Sequence, residues 1–355
     1  MFYLTMRTWL LDYGFVASDC DECLFIFHPD KFETILVGIH VDDLLVVASS
    51  TSVLDPFQAA LASRWNTTAH TGNDHNYVGL HFTIDRANDS AAVDMRGSII
   101  KILAEFGHGL TPASTPADAS ILLQSGEPLT PEQRLLFMSL IMTLLYCARL
   151  AYSSILFPVV LLATRMASPT TDDMQHGYRI VRYLMTQLET KLIYRAPPGD
   201  VRLTVYVDAS HGIHSDGRGH YCLIATLGGA PIAVKSAKVE FVTTSSTETE
   251  LTAVSSTITY VLWLRRVLAQ LGFPQAGPTV IYQDNLSAIA ILNQGHGTFK
   301  RTKHIFLRFA FIKEHLNNND IAFAHCPTAE MWADIGTKIH GPSALANMLK
   351  QMHYV

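Results

Sequence analysis

Charge is scarce in this chain: 16% of its 355 residues are Asp, Glu, Lys or Arg, and the formal net charge is -5. That total argues against a protein that coats nucleic acid over its whole surface. Cysteine is scarce too, an odd and dispersed set of five (Cys20, Cys23, Cys147, Cys222, Cys326). Without a secretory signal such a set implies a reducing compartment, so the chain is expected to be intracellular and not secreted. Cys20 and Cys23 have C-x-x-C spacing but no second pair follows, and ordinary thiols are expected rather than a zinc or redox site. Arg7 stands on the wrong side of the first apolar residues for a signal peptide. Long apolar runs are also lacking. Residues 135–148 and 150–163 each fall short of the roughly 20 a membrane span needs, and Arg149 and Pro158 interrupt them. Buried helices, and no membrane, are expected. No internal repeat is apparent.

What is present is a 48% hydrophobic chain, enough for a substantial core in two or three domains. Its charge is uneven. Residues 1–200 carry 13 basic and 21 acidic side chains, a balance of -8, whereas residues 201–355 carry 13 and 10, a balance of +3. The carboxy-terminal part could therefore face a phosphate backbone. The loop Pro197-Pro198-Gly199-Asp200 is the clearest boundary. Before it, residues 24–48 read as a meander with Asp42 and Asp43 in a tight turn between two apolar strands. A helix is expected over 55–64, a strand over 77–85, a short helix over 99–106, a linker over 111–131, and helices to 188 with breaks near Ser153 and Pro169. After it, strands over 203–207, 221–227 and 231–235 precede a long helix over 247–270, with Thr247 as its cap and Gly272 as its end. A strand over 280–282, helices over 286–293 and 303–316, a strand over 321–325 and a helix around Asp334 complete the set. Strands first and then alternation suit a mixed sheet covered by helices, an α/β (α+β overall) class.

Four carboxylates punctuate this last part. Asp208 closes an alternating strand, Glu250 lies at the mouth of the long helix, Asp284 follows an apolar strand, and Asp334 sits in the late helix. Hard divalent cations want oxygen ligands, and an ordered set of acids at element ends can supply them.

The segments Ser245-Ser-Thr-Glu-Thr-Glu-Leu251, Asp284-Asn285-Leu-Ser-Ala-Ile289, Arg301-Thr-Lys-His-Ile305 and Ala333-Asp334-Ile-Gly-Thr-Lys338 resemble the ribonuclease H domain of copia-type LTR retrotransposon polyproteins. Upstream, Cys23-Leu-Phe25 and His40-Val-Asp-Asp43 resemble the second half of their reverse transcriptase, and Leu144-Leu-Tyr146 and Arg182-Tyr-Leu184 resemble the connecting segment. The resemblance implies a truncated polymerase palm remnant over 1–110, a linker and helical connection over 111–199, and a ribonuclease H-like mixed sheet flanked by helices over 200–345. It implies that Asp208, Glu250, Asp284 and Asp334 are catalytic and hold two Mg²⁺, with Mn²⁺ as a substitute, to hydrolyse RNA in RNA·DNA hybrids. Glu248 competes with Glu250. Two residues apart on a helix means about 200° of rotation, so one site cannot use both. Glu250 is preferred because Glu250-Leu251-Thr252-Ala253 matches the helix start in related ribonucleases H.

Lys300, Arg301, Lys303, His304 and Arg308 form the densest basic stretch and are the candidates for gripping phosphates. His325 is expected as an edge-strand residue. His211, His214 and His220 lie in a Gly-rich loop like one in the family, so zinc is not expected there. The chain departs from the family where His40 replaces the usual Tyr, and where Ala151-Tyr152-Ser153-Ser154-Ile155 replaces Thr-Arg-Pro-Asp before Ile. It also starts too late for a third palm carboxylate. Asp42 and Asp43 are thus expected to support no polymerase activity unaided. The remainder of a retroelement polyprotein is the expected partner, and an inactive remnant with weak nucleic-acid binding is the alternative.

Overall fold

Two units make up the structure, a computed structural model that describes residues 2–195, 201–294 and 303–355. One comprises residues 1–78 with 262–276, the other 79–261 with 277–355.

In the first unit, α1 (Phe2–Tyr13) precedes the antiparallel strands β1 (Val16–Ala17), β2 (Leu24–Phe27), β3 (Ile35–His40) and β4 (Asp43–Ala48), ordered as in the chain. Ile35, Val37 and Ile39 of β3 alternate inward, as a strand with one covered face requires. They meet Met6 and Leu10 of α1 and Phe57 of α2 (Thr51–Arg64). The helix starts a turn earlier than its sequence suggests and accommodates Pro56 internally. A short strand, β5 (Asp74–Tyr77), ends before Val78 and Gly79, both at positive φ (45° and 75°). The single strand expected over 77–85 is therefore two.

In the second unit, β6 (Leu80–Asp85), β7 (Ser90–Asp94) and β8 (Leu192–Arg195) form antiparallel pairs. Four helices follow β7: α3 (Arg96–Phe106), α4 (Pro131–Leu150), α5 (Leu156–Ala163) and α6 (Thr171–Leu184). Thr130 and Gln133 form a capping box on α4, with Pro131 at its first position. Thr170 and Asp173 do the same for α6. Residues 156–162 of α5 are all buried. By length and composition α4 alone among the described residues could cross a membrane. It buries Phe137, Leu140, Ile141, Leu144 and Cys147 in the core it shares with α5 and α6.

The sheet that positions the acids is built from β9 (Leu203–Ser210), β10 (His220–Leu227), β11 (Ala230–Lys238), β12 (Thr279–Gln283) and β13 (Ile321–His325), in the order β11-β10-β9-β12-β13. The first three are antiparallel neighbours, while β12 runs parallel to both β9 and β13. This is the mixed sheet expected of a ribonuclease H-like fold. Between β11 and β12 runs α7 (Ser246–Gln270), ended by Gly272 at φ 93°. Its start is closed by the Ser245 hydroxyl, which accepts from the Glu248 amide at 3.2 Å. Thr247 therefore lies inside the helix and is not its cap. The helices α8 (Leu286–Gln294) and α9 (Lys303–Asn317) lie between β12 and β13 in the chain. Asp334 does not occupy an α-helix. It sits in a 3-10 turn, Trp332–Gly336, and the late helix is α10 (Pro342–Gln351).

Candidate metal centre

Parallel pairing of β9 with β12 puts their carboxyl ends at one edge of the sheet. The register couples Tyr206 to Tyr282, so two residues further on Asp208 and Asp284 come side by side. Neighbouring strands lie about 4.8 Å apart, close enough for the two carboxylates to share a cation. This edge is where the strand order reverses, the usual place for a site in an α/β sheet. Glu250, in the opening turns of α7, adds a third carboxylate. One oxygen from each of Asp208, Glu250 and Asp284 lies within 4.8 Å of the others. Asp208 and Glu250 are buried, at 2% and 5% exposure, and Asp284 is half-buried.

Asp334 joins this group through a lysine. Lys338 Nζ lies 2.7 Å from Asp334 Oδ1 and 3.4 Å from Asp208 Oδ1. Thr337 donates its hydroxyl to Asp208. Gln283 Nε2 donates to Glu250 Oε2 at 2.6 Å, and Thr328 Oγ1 to Asp284 Oδ2 at 3.4 Å. Glu248 turns to the helix start, where it accepts from the Thr244 amide and hydroxyl at 2.7 and 2.8 Å.

Burial and the neighbouring Asp208 charge push Glu250 up to about 8, against the Gln283 hydrogen bond. The same two causes push Asp334 up to about 7, with Lys338 opposing. Burial works against the charge on Lys338, but Asp208 and Asp334 outweigh it and raise the ammonium. Like charges gathered in a poorly solvated place resist joint ionisation unless a cation neutralises them. An all-oxygen donor set of this density fits hard divalent ions such as Mg²⁺ or Mn²⁺.

Of the remaining sequence candidates, Asp42 and Asp43 sit at the exposed tip of the β3–β4 hairpin, next to Val41 at φ 58°. Among the described residues no third metal-binding side chain groups with them. Lys303 and His304 open α9, and Arg308, half-buried, stands over the Phe241 ring at 5.3 Å. Lys300 and Arg301 lie outside the described residues. His325 ends β13, exposed. His214 and His220 are hydrogen-bonded to each other, and His211 to Thr243 and Thr249. Residue-by-residue reading overlooked Lys338, Thr337 and Gln283. The i,i+4 spacing of Asp334 and Lys338 was the available signal.

No protein-family model matches the chain. It is 28% identical over 355 residues to the retrovirus-related Pol polyprotein from transposon RE2 of Arabidopsis thaliana, covering 99% of this chain and 24% of that protein. It is 29% identical over 253 residues to the putative transposon Ty5-1 protein of Saccharomyces cerevisiae, covering 69% of this chain and 79% of that one. The chain thus spans about a quarter of the length of the first two curated relatives it matches. Among solved structures, the ribonuclease H1 of Halobacterium salinarum aligns with 37% of this chain and 90% of its own at 16% identity and a TM-score of 0.28. The ribonuclease H domain of PFV aligns with 44% and 96%, at 16% identity and a TM-score of 0.28. The homologues of this chain, over most of its length, are retrovirus-related Pol polyproteins of copia-type transposons.

Proposed function

We propose that the chain is a metal-dependent endoribonuclease that cleaves the RNA strand of RNA·DNA hybrids, as one part of a longer retroelement Pol polyprotein inside the cell. The observation that carries this is the convergence of Asp208, Glu250 and Asp284 within 4.8 Å at the carboxyl edge of the mixed sheet. Those three, with Asp334, would hold two Mg²⁺, and Mn²⁺ would substitute. When bound, such ions acidify a water for attack on a phosphodiester and stabilise the leaving 3′ oxygen.

The chain's own residues have separable tasks. Gln283 and Thr337 orient the carboxylates of Glu250 and Asp208 through their hydrogen bonds. Buried surroundings keep bulk water from screening the acids. Arg308, with Lys303 and His304 on the same helix and the neighbouring Lys300 and Arg301, would meet phosphates, and the ribose 2′-OH would distinguish RNA from DNA. Asp42 and Asp43 have no part in this chemistry, and we propose no polymerase activity for them unaided. A non-catalytic remnant is the less favoured reading, because all four acids are retained.

The test is incubation of purified protein with Mg²⁺ and a hybrid labelled on its RNA strand. Cleavage that Asp284→Asn abolishes is expected. No cleavage, or cleavage indifferent to that substitution, overturns the proposal.

A further inference from the structure

His214, in the connection between β9 and β10, and His220, the first residue of β10, are not used by the chemistry above, yet both are buried. His220 is 0% exposed, His214 7% and Ser236 5%. They form a continuous chain. His214 Nε2 lies 3.0 Å from His220 Nδ1, His220 Nε2 lies 2.6 Å from Ser236 Oγ, and Ser236 Oγ lies 2.7 Å from the carbonyl oxygen of Gly336. Gly336 is two residues beyond Asp334 in the same 3-10 turn.

The direction of this chain follows from its last member. A carbonyl only accepts, so the single Ser236 proton goes to Gly336. His220 Nε2 must then donate to Ser236; in a neutral ring that leaves Nδ1 as an acceptor, to which His214 Nε2 donates. With both rings neutral, each is the Nε2–H tautomer. Burial pushes His220 down to about 3 and His214 down to about 4, which agrees with that assignment. Phe157 meets the His220 ring edge-on at 5.2 Å and keeps it in place. Two rings aimed at each other in this way are not a metal pair. The turn is also held from below, because a Cβ on Gly336 would stand 2.7 Å from Cys222 Cβ. Carbonyl and Cα are thereby both pinned.

We propose that His220 is a positioning residue for Asp334, acting through Ser236 and the Gly336 carbonyl. This rests on the reading of Asp334 as a metal ligand. Outer hydrogen-bond partners fix where a ligating carboxylate points, and a ligand displaced by a few tenths of an ångström binds its ion more weakly.

Two measurements on the full chain test it. Long-range proton–nitrogen correlation spectra of the ¹⁵N-labelled protein should show His214 and His220 as Nε2–H tautomers. Calorimetric titration with Mn²⁺ should show Ser236→Ala and His220→Leu weakening affinity by about 10-fold. His220→Gln, whose amide can donate and accept in the same places, should restore it. An Nδ1–H His220 in protein that binds Mn²⁺ overturns the chain itself, as does folded Ser236→Ala with wild-type affinity. Wild-type protein that binds no Mn²⁺ while showing the expected tautomers overturns the metal-site reading, and the positioning role with it.

Discussion

The Lys338 ammonium sits 2.7 Å from the Asp334 carboxylate, inserted among buried acids where a divalent ion would otherwise be expected. It also reaches Asp208 at 3.4 Å, so it partly neutralises two of the four acids. Being 38% exposed at its side chain, it can swing out when a stronger cation arrives. Lys338→Met should therefore have two opposite effects. The metal-free protein loses about 1–2 kcal/mol of stability, since two buried acids lose their counter-charge. Divalent affinity rises by about 10-fold, or ~1.4 kcal/mol. Chemical denaturation in chelator and calorimetric titration read the two effects.

The pH dependence has a definite sign. Glu250 is raised from 4.5 to about 8 and Asp334 from 3.8 to about 7. The folded state therefore holds protons that the unfolded chain has released, and stability falls as pH rises between the two values. Metal-free protein should melt at progressively lower temperature from about pH 5 to pH 8. Mg²⁺ should raise the melting temperature most at the upper end, where the acids are ionised. Parallel melts in chelator and in Mg²⁺ across that range check this.

Glu248 and Glu250 should separate cleanly. Glu248→Gln weakens the helix start and costs about 1 kcal/mol, with metal affinity and cleavage little changed. Glu250→Gln removes a proposed ligand and should lower the cleavage rate by about 100-fold or more, a loss of ~2.7 kcal/mol in transition-state stabilisation. Comparing the two variants by melting and by single-turnover cleavage distinguishes a cap from a ligand.

Gly336→Ala should act on Asp334 without touching it. The new methyl group meets Cys222, whose side chain is fully buried beneath the turn. Overpacking of this kind costs about 1–3 kcal/mol. Cys222→Ala removes the sulfur and should recover part of that loss. Thermal melts of the single and double variants measure the coupling.

Much of this arrangement was legible in the residues. The alternation of residues 203–207 gave β9 and the inward parity of Leu203, Val205 and Val207. Its pairing with a second apolar strand explains why acids 76 positions apart in the chain, at 208 and 284, share an edge. What escaped depends on distant contacts. A helix was expected around Asp334, but Gly336 is packed against Cys222, more than a hundred residues earlier, and the chain there tightens into a 3-10 turn. The strand β8 pairs with β7 across nearly a hundred residues, and the short run Leu192–Arg195, which does not alternate, gave no local sign of it. Gln283 carried no mark in sequence either, because a buried glutamine on a strand becomes meaningful only opposite Glu250.

Titration of metal-free protein with Mn²⁺, read by calorimetry, asks whether the clustered acids hold a divalent ion. Wild-type protein is expected to bind with a clear saturating isotherm, and Asp208→Asn to lose that binding while remaining folded. Folded Asp208→Asn protein that binds Mn²⁺ as tightly as the wild type would mean that the cluster is not the metal site.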